Sequence, residues 1–151
     1  TPSSFNVIYG RTQPIFWGKS KECHKLFIPY FEYFWKRLEE EGLVAPEPYK
    51  DESYSKQYLP KVVGISGPVA KRLTSGGNVS LHTWGIAIDI NPAWNPYLGQ
   101  SGKWNPQHLD PRVVEIAVEE VGLVWLGGLD AMHFELSGIN GTKTISNPNP
   151  S

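Results

Sequence analysis

The chain holds only four histidines, and two of them sit in dense polar company inside strand-like segments. The first segment is Ser80-Leu-His82-Thr-Trp84-Gly85-Ile-Ala87-Ile-Asp89, and the second is Asp130-Ala-Met-His133-Phe-Glu135. Two imidazoles and a carboxylate form a borderline-soft nitrogen and oxygen donor set. Catalytic zinc uses such a set when it keeps a fourth position open for water. A further carboxylate, not itself a ligand, then takes the proton from that water. Asp130 and Glu135 are the acids placed for this. If His133–Leu136 is a strand, Glu135 leaves from the same face as His133, about 7 Å along the chain, while Phe134 and Leu136 turn inward. Asp130 lies on the loop just before. By spacing alone, either acid serves as base or as partner to a ligand. Gly85 and Ala87 are minimal side chains beside Asp89 and imply open volume that a packed core would fill.

These residues need a sheet to hold them. Gly85–Ile90 alternates, with Ile86, Ile88 and Ile90 on a core face and Gly85, Ala87 and Asp89 on the other, which predicts a strand. Leu123–Leu126 and His133–Leu136 read as two more strands around a Gly127-Gly128 turn, and Lys61–Ile65 as a short fourth. A helix is expected over roughly residues 23–41, where Leu26, Tyr30, Phe34 and Leu38 recur every four residues beside Phe27, Phe31 and Trp35. Pro29 suits its first turn or a kink, and Gly42 its end, although the three acids Glu39–Glu41 oppose the helix dipole there. Asp110-Pro111 opens a second helix with a capping acid and a first-turn proline. Val114, Val118 and Val121 form its apolar face, and Gly122 stops it. Residues 1–20 read as an irregular arm anchored by Phe5, Tyr9, Phe16 and Trp17. Residues 45–60 and 91–111 read as loops, and 75–78 as a turn. The expected class is α+β: a small antiparallel sheet of about four strands carrying a zinc site, flanked by two or three helices. A catalytic domain over residues 1–139 precedes a polar tail, 140–151.

Composition narrows the function classes. A chain of 151 residues with 40% hydrophobic and 13% aromatic content fits one domain with one core and excludes intrinsic disorder. Fourteen basic residues against 15 acidic ones leave no electrostatic footprint for nucleic acid. No apolar run approaches the roughly 18 residues of a membrane span. The single cysteine, Cys23, forms no internal disulfide. No signal peptide is visible, but the chain begins at Thr1 rather than Met, which leaves a removed leader open. Between Tyr54 and Trp104 lie Lys56, Lys61, Lys71, Arg72 and Lys103 against one acid, Asp89. A locally positive cleft of that kind suits a substrate rich in carboxylates.

The pattern Ser80-x-His82-x-x-Gly85-x-Ala87-x-Asp89, followed by Asp130-x-x-His133-Phe-Glu135, resembles the D-Ala-D-Ala metallopeptidase family over about residues 62–137. That family includes zinc D,D-carboxypeptidases and dipeptidases and the L-alanyl-D-glutamate endopeptidases of bacteria and phage lysins. The segments Trp84–Pro92 and Gly122–Trp125 look like the endopeptidase branch, as does an Asp at position 130. The resemblance implies one Zn²⁺ per chain on His82, Asp89 and His133, with Asp130 as general base and then acid. Glu135 would orient a histidine ligand, and Ser80 would help position substrate. Arg72, in a Ser-Gly-Pro-Val-Ala-Lys-Arg stretch that departs from the family's usual Ser-Gly-Tyr-Arg, is the nearest match to an arginine that steadies the scissile carbonyl. Trp84, between two ligands, would line the cleft. The implied substrate is the stem peptide of peptidoglycan, cut at L-Ala-D-Glu. The protein would act at the cell wall as a monomer, with residues 140–151 leading to a separate wall-binding domain. Alternatives are a D-Ala-D-Ala carboxypeptidase of the same family and a zinc-bearing binding module like the hedgehog signalling domain. A cysteine peptidase built on Cys23 is a weaker rival. So is a serine hydrolase on Ser80, His82 and Asp89, which lacks a G-x-S-x-G elbow.

Overall fold

The computed structural model describes residues 12–17, 19–23, 27–66, 87–97 and 103–136. Strands β1 (Thr12–Phe16) and β2 (Lys19–Glu22) pair antiparallel as a hairpin. Helix α1 (Ile28–Glu40) follows, then a short helix α2 (Glu52–Tyr58) and strand β3 (Ile65–Ser66). Strand β4 (Ala87–Ile90) precedes helix α3 (Pro111–Glu115), which runs on into a π-helical turn, Ile116–Val121. Strand β5 (Leu123–Trp125), a 3₁₀ turn (Gly127–Leu129) and strand β6 (His133–Leu136) complete the described elements. A four-stranded sheet runs β3-β4-β6-β5, every neighbour antiparallel. The fold is α+β.

Helix α1 forms because its apolar positions return every three or four residues and leave one face to bury. Ile28, Phe31, Phe34, Trp35 and Leu38 fill that face. Each contributes about 1.5–3 kcal/mol of burial before ordering costs. Pro29 stands in the first turn, where its missing N–H would have no partner in any case. The helix runs from Ile28, with β2 ending at Glu22; residues 24–26, at the expected start near residue 23, lie outside the described residues. Phe16 and Trp17, expected in an irregular arm, close the hairpin instead and pack edge-on against Trp35 at 5.2 and 5.1 Å. Within the segment expected to be all loop, α2 forms on an Asp51 cap whose carboxylate accepts from Tyr54 N.

The acids at the end of α1 are answered from across the molecule. Arg37 donates to Glu40, Glu41 and Glu120, and Arg112 donates to Glu41, Glu115 and Glu120, so two arginines bridge α1 to α3 and the π turn. Glu41 takes a two-pronged contact from Arg112 at 2.7 and 2.5 Å. That contact, with a smaller contribution from Arg37, holds its carboxyl at about 2. Glu120 is lowered too, mainly by Arg37. The helix dipole objection is thereby met by charge.

The core is one cluster. Ile88, Ile90, Phe134, Leu136 and Leu123 from the sheet meet α1, Val113, Ile116, Ala117 and Val121. Gly122 adopts φ +87°, a left-handed stop that turns the chain into β5. Among the described residues, no helix is long and apolar enough to cross a membrane.

Candidate metal centre

The site grows from the β4–β6 ladder. The register sets Ala87 opposite Glu135, Ile88 opposite Phe134 and Asp89 opposite His133. Ile90 N donates to Met132 O at 2.7 Å, which makes the next rung, Asp89 against His133, a non-hydrogen-bonded pair. Side chains approach each other most closely at such rungs. Alternation then sends Phe134 and Ile88 to the core, wholly buried, while Asp89, His133, Ala87 and Glu135 share the other face.

On that face His133 stands between two carboxylates. Its Nδ1 lies 3.5 Å from Asp89 Oδ1, and its Nε2 is 2.8 Å from Glu135 Oε1. Ala87 lies across from Glu135, and a larger side chain there would crowd the path by which Glu135 reaches the ring. Asp89 is 2% exposed and His133 8%, so both charges and dipoles act in a protein interior rather than in water. Burial pulls the imidazole pKa down most strongly. Hydrogen bonds to Asp89 and then Glu135, with their charges, outweigh it and raise His133 to about 9. The pair of carboxylates therefore favours positive charge at this ring. A divalent metal fits the same donors with the imidazole neutral, as a ligating imidazole must be. Glu135 on Nε2 leaves Nδ1 as the ring's ligating atom and fixes the ring's orientation, as outer partners of metal-binding histidines do. Among the described residues no three such side chains form a complete metal-binding group. The expected third ligand, His82, lies outside them, as do Ser80, Trp84 and Arg72.

Asp130 is held beside this pair by backbone geometry. Its N–H donates to Gly127 O at 3.1 Å, closing the 3₁₀ turn, and its carbonyl accepts from His133 N at 3.0 Å. Trp125 Nε1 donates to Ala131 O at 2.8 Å, pinning the same loop to β5. Trp104 packs edge-on against Trp125 at 5.0 Å. The expected open volume beside Asp89 is not found at Ala87, which is completely buried; both faces of β4 are covered. Cys23 is also completely buried within the core cluster, where no substrate carbonyl reaches it, which removes the ground for a cysteine nucleophile.

Asn91 is the positioning residue that sequence reasoning read only as the start of a loop. It is fully buried at φ +50°. Its Oδ1 accepts from Val63 N (2.8 Å) and Gly64 N (3.3 Å). Its Nδ2 donates to Lys61 O (3.0 Å) and His108 O (2.9 Å). The segment around Lys61–Gly64 and the one at His108 are thus tied to the β4 segment through one amide two residues after Asp89. Asn tolerates the left-handed region better than other side chains. An Asn directly after a strand and before Pro92 was the available signal.

Both motif segments fall inside a stretch that is similar to a known family. Residues 74–136 match the family model described as D-alanyl-D-alanine carboxypeptidase. The stretch similar to that family runs from before Ser80 to the end of β6 and includes Asp89, Asp130, His133 and Glu135. No curated protein and no solved structure gives a significant match to the chain.

Proposed function

We propose that the chain is a zinc peptidase that hydrolyses the stem peptide of peptidoglycan, acting at the cell wall, with the catalytic residues carried in a domain over residues 1–139. The observation that carries this is His133 braced on Glu135 through Nε2 while its Nδ1 faces the buried Asp89. His133 and Asp89, with His82 from the first motif, would hold one Zn²⁺. When bound, the metal supplies Lewis acidity and a water acidic near neutral pH.

The chain's own residues do the rest. Asp130, fixed through its backbone beside His133, accepts a proton from the attacking water and returns it to the leaving amine. Glu135 keeps the His133 ring in one orientation throughout. Ser80 and Trp84 orient the peptide, and Arg72 donates to the carbonyl oxygen as negative charge develops there. The bond we favour is L-alanyl-D-glutamate, on the ground that an Asp at position 130 resembles the endopeptidase branch. The similarity to the D-alanyl-D-alanine carboxypeptidase family favours a second reading, release of a terminal D-alanine.

The test combines elemental analysis with turbidity of purified cell walls. Wild type should carry about one zinc per chain and clear the walls, and His133→Ala should lose both. Asp130→Asn should keep its zinc and lose about 10²–10⁴-fold in rate. Full lysis by a metal-free protein, or by Asp130→Asn, would overturn the assignment. Product mass spectrometry separates the two bonds.

A further inference from the structure

A cavity of about 250 Å³ opens against the loop that carries Asp130, with Gly128 and Ala131 in one wall and Trp94, His108, Asn105 and Lys103 around it. Most of its polar atoms are already committed. Trp94 Nε1 donates to Ser55 Oγ at 2.9 Å, and the ring meets His108 edge-on at 5.6 Å. His108 Nδ1 donates to the Trp94 carbonyl at 2.8 Å, and its Nε2 lies 3.4 Å from Asn105 Nδ2. Asn105 is itself oriented, because its Oδ1 accepts from Gln107 N at 2.9 Å and so turns the amide NH₂ towards the histidine. Both hydrogens of Asn95 Nδ2 are directed at the carbonyls of Asn91 and His108, at 3.2 and 3.3 Å.

What remains is an aromatic-walled pocket with one lysine. Lys103 is exposed and forms no salt bridge among the described residues. The complement of such a pocket is a short aliphatic stem ending in a carboxylate. The stem lies on the indole and imidazole, and the charge meets the ammonium with help from the Asn105 amide. We infer that the pocket seats an acidic residue of the peptide next to the bond being cut, with Lys103 as the specificity-determining residue that separates a free carboxylate from its amide. That the ligand is a peptide rests on the function proposed above; the carboxylate chemistry of the pocket does not.

Binding is measured without turnover, by titrating the full chain with acetyl-alanyl-glutamate and acetyl-alanyl-glutamine while following the Trp94 indole N–H by NMR. The acid should bind about two- to fivefold tighter than the amide, as an exposed charge-assisted contact supports, and added salt should narrow the gap. Lys103→Met should bring the acid to the amide's affinity, and Lys103→Glu should reverse the order. Equal binding of the two probes by wild type, no shift with either, or equal weakening of both by Lys103→Met would overturn the assignment. If the preference holds while the zinc-loaded protein clears no wall, the reaction is wrong and the pocket stands.

Discussion

Asn91 is where a single atom exchange should reveal most. Asn91→Asp preserves shape and keeps the Oδ1 acceptor for Val63 and Gly64. It replaces the amide nitrogen with an oxygen that faces the carbonyls of Lys61 and His108, now about 3 Å away, at 3.0 and 2.9 Å in the native contacts. Two donor contacts become two repulsions inside a fully buried site. Leaving buried groups unpaired costs about 1–3 kcal/mol each. With partial relaxation, Asn91→Asp should cost about 3–5 kcal/mol at neutral pH. For a chain of this size that lowers Tm by roughly 10 °C, at about 2–4 °C per kcal/mol. Asn91→Gly loses all four side-chain bonds but tolerates the positive φ, whereas Asn91→Ala loses the same four and adds about 1 kcal/mol of left-handed strain. Thermal melts and urea titrations of the three variants measure both quantities. An Asp variant melting within about 2 °C of wild type, at neutral pH, would refute the hydrogen-bond scheme that joins the three segments.

Two further predictions follow from the same geometry. Glu135→Ala removes the brace on His133 Nε2 and should weaken zinc binding about 10–100-fold, read by competition with a chromophoric chelator; unchanged affinity would mean that Glu135 does not orient the ring. Acid should loosen the contact between α1 and α3. Glu41 falls from an ordinary 4.5 to about 2 in the folded protein, chiefly through Arg112, so its contribution is complete above pH 4.5 and lost as pH falls towards 2. Glu41→Gln should flatten the decline in Tm across that window, and parallel wild-type and variant curves would exclude the mechanism.

The elements that carry the site were the most legible. The alternation of Gly85–Ile90 and the apolar positions Phe134 and Leu136 predicted β4 and β6, because one face of each had to be buried, and the same alternation set Glu135 beside His133. The hairpin β1–β2 was not legible. Pro14 interrupts the first strand and Lys19–Glu22 is wholly polar, so pairing rests on long-range anchoring of Phe16 and Trp17. Helix α2, at seven residues, is too short to show a period, and its Asp51 cap was the one local mark. Glu41, closing α1, looked unfavourable because Arg112, its long-range partner, stands far along the chain. No local pattern encodes such a contact. Asn91 was hidden for a related reason: its four partners come from segments that only the finished fold brings together.

The pairing of Asp89 with His133 also gives the fold a form of proofreading. Their rung of the β4–β6 ladder is next to Ile88 against Phe134. A slip of β4 by one residue would carry the carboxylate into the core and turn Ile88 outward, and a slip of β6 would do the same with the imidazole and Phe134. The error that empties the cation site is therefore also the error that breaks the core. A chain able to hold a cation at this rung has, by that fact, been threaded correctly.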